Sequence, residues 1–128
     1  MDNDLQRFVD AQNREYSKAL DEIKEGKKTT HWIWYIFPQI KGLGRSYYSE
    51  FYGIQSIEEA RAYLDHDILS NRLYEITGAL LLHKDKSIVE IAGHIDSKKI
   101  KSSMTLFDYI SPNDVFDQVL SVFFSGKR

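Results

Sequence analysis

Two short stretches hold most of the side chains able to do chemistry. The first is His31-Trp32-Ile33-Trp34-Tyr35-Ile36-Phe37-Pro38-Gln39. Indole and phenol rings bind flat groups through their faces while one edge stays wet, so this block offers a stacking surface. Its plainer role is core, which suits Trp32, Ile33, Ile36 and Phe37, because aromatic burial dominates small cores. Trp34, Tyr35 and Gln39 are the ligand-binding candidates of the block. His31 joins them as a candidate acid or base, although a lone histidine beside tryptophan is more often structural. The second stretch lies between Asp96 and Phe107. On a helix, Lys99 has Ser102 three residues on and Ser103 four residues on, so an amine and hydroxyls converge. Near a helix start that set suits an anion such as phosphate. The plainer alternative is a solvated lysine face with serines bonded back to the backbone. A serine–lysine nucleophilic pair would also need an activating base and an oxyanion hole, which no spacing here supplies. His31, Lys99 and Ser103 are thus the catalytic candidates. Arg45 is a further anion-binding candidate, since a guanidinium grips phosphate or carboxylate with two parallel hydrogen bonds.

Much other chemistry is excluded. The chain has no cysteine, which removes disulfides, thiolate metal sites and thiol nucleophiles. His31, His66, His83 and His94 lack the spacing that puts two metal ligands on one helix face, and no metal or other cofactor is expected. Gly42-Leu43-Gly44 has neither the third glycine nor the preceding strand of a dinucleotide fingerprint, and there is no Walker loop or nucleophile elbow. Seventeen basic against nineteen acidic residues give a net charge of −2, and Lys98, Lys99 and Lys101 are too few to argue for nucleic acid. The acidic N-terminal residues do not read as a signal peptide, and the apolar run Trp32–Phe37 is far short of a membrane span. A cytoplasmic protein is expected, with an anionic small molecule as its partner and no membrane association.

The elements that must position these residues are helical. Leu5, Phe8, Val9, Tyr16, Ala19, Leu20 and Ile23 keep the three-and-four spacing of one helix face over roughly residues 4 to 25, with Gly26 placed for a left-handed cap. Ser56/Glu59 and Ser87/Glu90 are capping-box patterns, and Ser111/Pro112/Asp114 reads as a shorter-armed start of the last helix. Ile68, Leu69, Leu73, Ile76, Leu80 and Leu81 trace a further helix over roughly residues 68 to 83, in which Gly78 marks a close helix–helix approach. Asp96 is the expected N-cap of a helix reaching Tyr109. Thr29 to Ile40 is rich in strand-favouring residues, but its helical neighbours favour a short helix, stopped by Pro38. Ser46 to Tyr52 makes one more helical turn, and period-two alternation is absent. The expected fold is all-α, an irregular multihelical single domain over residues 1–128.

The aromatic block with Gly42-Leu43-Gly44 after it, Tyr52-Gly53-Ile54, Glu59-Ala60, Ala62-Tyr63-Leu64, His66 with Leu69, Arg72 and Leu73, and Asp96, Lys99 and Ser102-Ser103-Met104-Thr105-Leu106-Phe107 together resemble a bacterial family, domain of unknown function 1810. The likeness spans nearly the whole chain. It implies a mainly α-helical multihelical fold and no established activity. The sequence departs from the pattern at Asp67, where the family often has proline.

Two functions are compatible with these residues. One is a small-molecule-binding or enzymatic pocket for a nucleotide-like or phosphorylated ligand, with the aromatic block stacking a ring and Arg45, Lys99, Ser102 and Ser103 holding the anion. It requires His31, Trp34 and Gln39 to meet Lys99, Ser102 and Ser103 around one cleft. The other is a protein-interaction module presenting Tyr47, Tyr48, Phe51 and Tyr52, since aromatic residues are enriched at interfaces.

Overall fold

Helix α1 (Gln6–Glu25) ends where its sequence says it should: Gly26 takes φ of 81° and returns its N–H to the carbonyls of Glu22 and Ile23. The computed structural model describes residues 4–42 and 45–126. The apolar stripe of α1, including Phe8, Val9, Ala19 and Ile23, is buried. It packs against α5 (Asp67–Leu80) and against the four-residue helix α2 (Ile33–Ile36). The aromatic block is thus a short helix, and α2 closes two residues before Pro38. Trp32, Ile33, Ile36 and Phe37 are in the core, as their apolar character requires.

After α2 an isolated parallel bridge pairs Ile40 with Ile54, the one extended pairing among the described residues. Gly53 is needed there, because a Cβ would lie 2.8 Å from the backbone of Lys41. Gly42 takes φ of 100°, as a tight loop requires; Leu43 and Gly44 of the same motif lie outside the described residues. Between these segments runs α3 (Tyr47–Tyr52), started by Ser46, whose hydroxyl accepts the Ser49 N–H at 3.1 Å.

Ser56 caps α4 (Ile57–Asp65) and Ser87 caps α6 (Ile88–Ala92). Only Ser87/Glu90 closes the full reciprocal box; the Glu59 carboxylate is drawn instead to the Gln55 N–H and to Arg7. His66 caps α5 through Nδ1, which accepts the Leu69 N–H at 3.3 Å. Asp67 therefore occupies the first position of α5, where proline is also at home because that N–H has no helical partner. A 3-10 turn, Leu81–His83, extends α5.

Four local expectations are corrected. Gly78 has no heavy atom within 4 Å of where a Cβ would be, so no close helix approach requires it. Helix α7 (His94–Ile110) starts two residues before Asp96, after Gly93 with φ of 86°; Asp96 lies in the first turn, where a carboxylate complements the helix dipole. Ser111 does not cap α8 (Val115–Phe123). Its N–H is still bonded to Phe107 O at the end of α7, which leaves Pro112 in the turn and makes Asp114 the N-cap, accepting the Val115 N–H at 2.7 Å. Tyr52 is buried and not part of an exposed patch, since its ring packs 5.9 Å from Phe8 and 5.1 Å from Tyr35.

The helices share one hydrophobic core, in which α7 lies against α4, α6 and α8. The described residues are all-α and multihelical, with no sheet, and none of their helices is long and apolar enough to cross a membrane.

Candidate functional site

The cleft at the aromatic block is assembled from three helices whose anchors are polar. Glu22, on the buried stripe of α1, takes the Thr29 N–H at 2.7 Å, the Thr30 N–H at 3.0 Å, the Thr30 hydroxyl at 2.6 Å and the Trp32 indole N–H at 3.0 Å. Burial by itself would raise the pKa of this carboxyl, but the hydrogen bonds outweigh it and hold the value down at about 2. Gln12, also buried, donates to Tyr35 O at 2.7 Å and to the Tyr63 hydroxyl at 3.0 Å, fixing the far end of α2. The segment leading into α2 is tied to α6 by the Lys28 N–H on Ile91 O at 2.7 Å.

A consequence is measurable. A carboxyl whose pKa is lower folded than unfolded stabilises the protein above its unfolded value, and that stability is lost as pH falls toward the folded value. Between about pH 5 and pH 2, Glu22 is expected to withdraw on the order of 2–3 kcal/mol. Urea denaturation across that range should fall more steeply for the native chain than for Glu22→Gln; parallel curves would remove this role.

Held in this way, α2 and the two residues before it present His31, Trp34 and Tyr35 to a cleft of about 430 Å³, whose other walls include Tyr48 of α3 and Asp96 and Lys99 of α7. The Lys99 ammonium lies 4.4 Å from the centroid of a Trp34 ring and 3.3 Å from Asp96. The other Asp96 oxygen pairs at 2.8 Å with Lys28, itself 4.7 Å from a Trp32 ring centroid. Two lysines thus share one carboxylate, and the group keeps one net positive charge. Tyr35 donates to His31 O at 3.3 Å; burial first, then the nearby Glu15 and Tyr52, push its phenol up to about 12, so it is a neutral donor and not a base near neutral pH.

The sequence candidates are only partly united. His31, Trp34, Tyr35 and Lys99 share the cleft. Gln39 and Ser103 are buried outside its lining, with the Gln39 amide nitrogen and the Ser103 hydroxyl unpartnered. Ser102 opens onto a different groove and donates its hydroxyl to Lys98 O. Arg45 is exposed and lines neither depression. Among the described residues, no group of three or more His, Asp or Glu side chains is placed to hold a metal ion.

Residues 2–128 match the model of a family described as protein of unknown function DUF1810. The chain belongs to the DUF1810 family. Among solved structures, it is similar to the conserved hypothetical protein Rv1873 from Mycobacterium tuberculosis, at 44% identity and a TM-score of 0.95, over 98% of this chain and 90% of the other. No match was found among curated proteins. In this DUF1810 member the residues that carry the likeness divide by environment. Trp32, Phe37, Tyr63, Met104 and Phe107 are core, while His31, Trp34, Asp96 and Lys99 gather at the cleft.

Sequence reading missed Glu22 and Lys28 as the supports of the site. Glu22 gives a faint signal, an acid beside Ala19 and Ile23 on an apolar stripe. Lys28 gives none, because its partner is 68 residues away.

Proposed function

We propose that this chain is a cytoplasmic small-molecule-binding protein whose aromatic cleft takes a planar anionic ligand of the nucleotide-like or phosphorylated kind. The observation that carries this reading is the Lys99 ammonium 4.4 Å over Trp34 at the wall of a cleft that His31, Tyr35 and Tyr48 also line. A phosphorylated ring compound offers the complements of both elements, a flat apolar face and a negative charge. The excess positive charge of the Lys28–Asp96–Lys99 group favours it, and the Lys99 side chain, 24% exposed against 5% for Lys28, is the one a ligand would draw from Asp96. Because α2 is fixed by Glu22 and Gln12, little of the aromatic wall has to be ordered on binding. The proposal is for binding: of the catalytic candidates, His31 and Lys99 line the cleft and Ser103 does not.

A thermal-shift screen with nucleotides, sugar phosphates and simple phosphate esters tests it. A true ligand at about 100-fold above its Kd stabilises the native state by roughly 2.7 kcal/mol. Lys99→Ala should abolish most of that shift while leaving the ligand-free melting temperature nearly unchanged, since a partly exposed ion pair contributes little. A shift of equal size in Lys99→Ala, or none with any compound, would sink the reading.

The protein-interaction alternative is favoured by three contiguous rings of α3, Tyr47, Tyr48 and Phe51, which are 72%, 53% and 43% exposed. Tyr47 and Phe51 lie outside the cleft lining, so replacing both by alanine separates the two readings. The ligand shift survives that change if the cleft is the site.

A further inference from the structure

A different face of α7 borders a second, larger depression of about 700 Å³, with Ile40, Ile57 and Leu106 as its apolar surface. Lys98 and Lys101, one helical turn apart, stand on its flank, and no acidic side chain belongs to its lining among the described residues. This contrasts with the aromatic cleft, where Asp96 answers both lysines; neither Lys98 nor Lys101 has a carboxylate partner among the described residues. Of the three hydroxyls in the lining, those of Ser102 and Thr105 are already committed as donors, to Lys98 O at 3.2 Å and to Lys101 O at 2.8 Å, and the third is the neutral phenol of the exposed Tyr109. Negative charge in this groove would therefore be met by the two ammonium groups.

We infer that this groove is a binding site for an amphipathic carboxylate, an aliphatic chain seated on Ile40, Ile57 and Leu106 with its carboxylate held by Lys98 and Lys101. Three points select this occupant. The volume falls within the roughly 300–1,000 Å³ typical of small-ligand sites. The apolar surface gains from covering a hydrocarbon chain in proportion to the area taken out of water. The two amines, without a carboxylate partner among the described residues, select an anionic end over a neutral or cationic one, and unlike phosphate-binding loops they bring no backbone N–H array for a polyanion.

The probe is decanoate, kept below its micelle concentration and titrated calorimetrically into the full chain at low salt. Saturable one-to-one binding is expected, with decanol and decyltrimethylammonium about ten-fold weaker or worse. Lys98→Gln/Lys101→Gln should weaken decanoate about ten-fold without changing the melting temperature, as expected for surface substitutions. Ser102→Phe, which narrows the groove and leaves the charges in place, should also weaken it. Lys99→Ala should not, which keeps this site distinguishable from the aromatic cleft. Absence of saturable binding, equal affinity for decanol, indifference to the double substitution, or loss of binding in Lys99→Ala would each overturn the inference.

Discussion

Phe116→Ala is expected to destabilise the fold by roughly 3–5 kcal/mol, the lost transfer energy of the ring plus the cavity it leaves. The side chain is completely enclosed, with its ring 5.7 Å from Phe107 of α7 and 5.2 Å from Tyr74 of α5. It sits where α5, α7 and α8 meet, so the hole cannot close without moving a helix. Set against a typical total of about 5–15 kcal/mol, the loss is a large fraction of the stability. Urea denaturation should show a lower midpoint with an unchanged slope. Phe123→Ala, on the same helix but only half-buried, should cost clearly less. A midpoint for Phe116→Ala close to that of the native chain would mean that α8 does not anchor the core.

The helices were legible where local chemistry decides. Gly26 stops α1, Ser87 and Glu90 start α6, and the stripe of α1 points inward because its spacing admits one buried face. Legibility failed where a neighbour outcompetes the local signal. Ser111 has the composition of an N-cap, yet α7 claims its N–H and the Tyr74 hydroxyl bonds to Asp114 at 2.6 Å, so the cap moves along the chain. Asp96 has the composition of an N-cap too, but Gly93 turns the chain earlier and the carboxylate goes to two lysines.

The candidate site shows the same division. Spacing along α7 places an amine and hydroxyls within one turn, but spacing does not say which residues share a depression. Lys99 faces the aromatic cleft, Ser102 the second groove and Ser103 the core, three destinations within five positions of one helix. The rotation of a helix against its neighbours is set by packing across the whole fold. Here α4, α6 and α8 fix it for α7, and none of them is adjacent in sequence to the Trp34 that Lys99 meets.

Glu59→Ala is expected to cost about 3–5 kcal/mol, because removing one partner strands a charge that water cannot reach. The Arg7 guanidinium holds Glu59 through both ends, at 3.0 and 3.3 Å, and neither side chain is more than 6% exposed. Arg7 also donates to Phe51 O at 2.8 Å, to Gly53 O at 2.9 Å and to Asp4 O, while Glu59 accepts the Gln55 N–H at 2.9 Å. The pair thereby ties α1 to the C-terminal end of α3 and to the start of α4, and α3 carries Tyr48 of the cleft wall. Nothing in the sequence announces it, since the partners are 52 residues apart and Glu59 reads as half of a capping box. Arg7→Met/Glu59→Leu removes both charges and fills the space with carbon, so it should be less destabilised than the sum of the single changes Arg7→Met and Glu59→Leu. Urea denaturation of the two single variants and the double closes the cycle. Additive losses would mean that the two side chains act separately, through their backbone partners alone, and that the ion pair does not hold α3 in place.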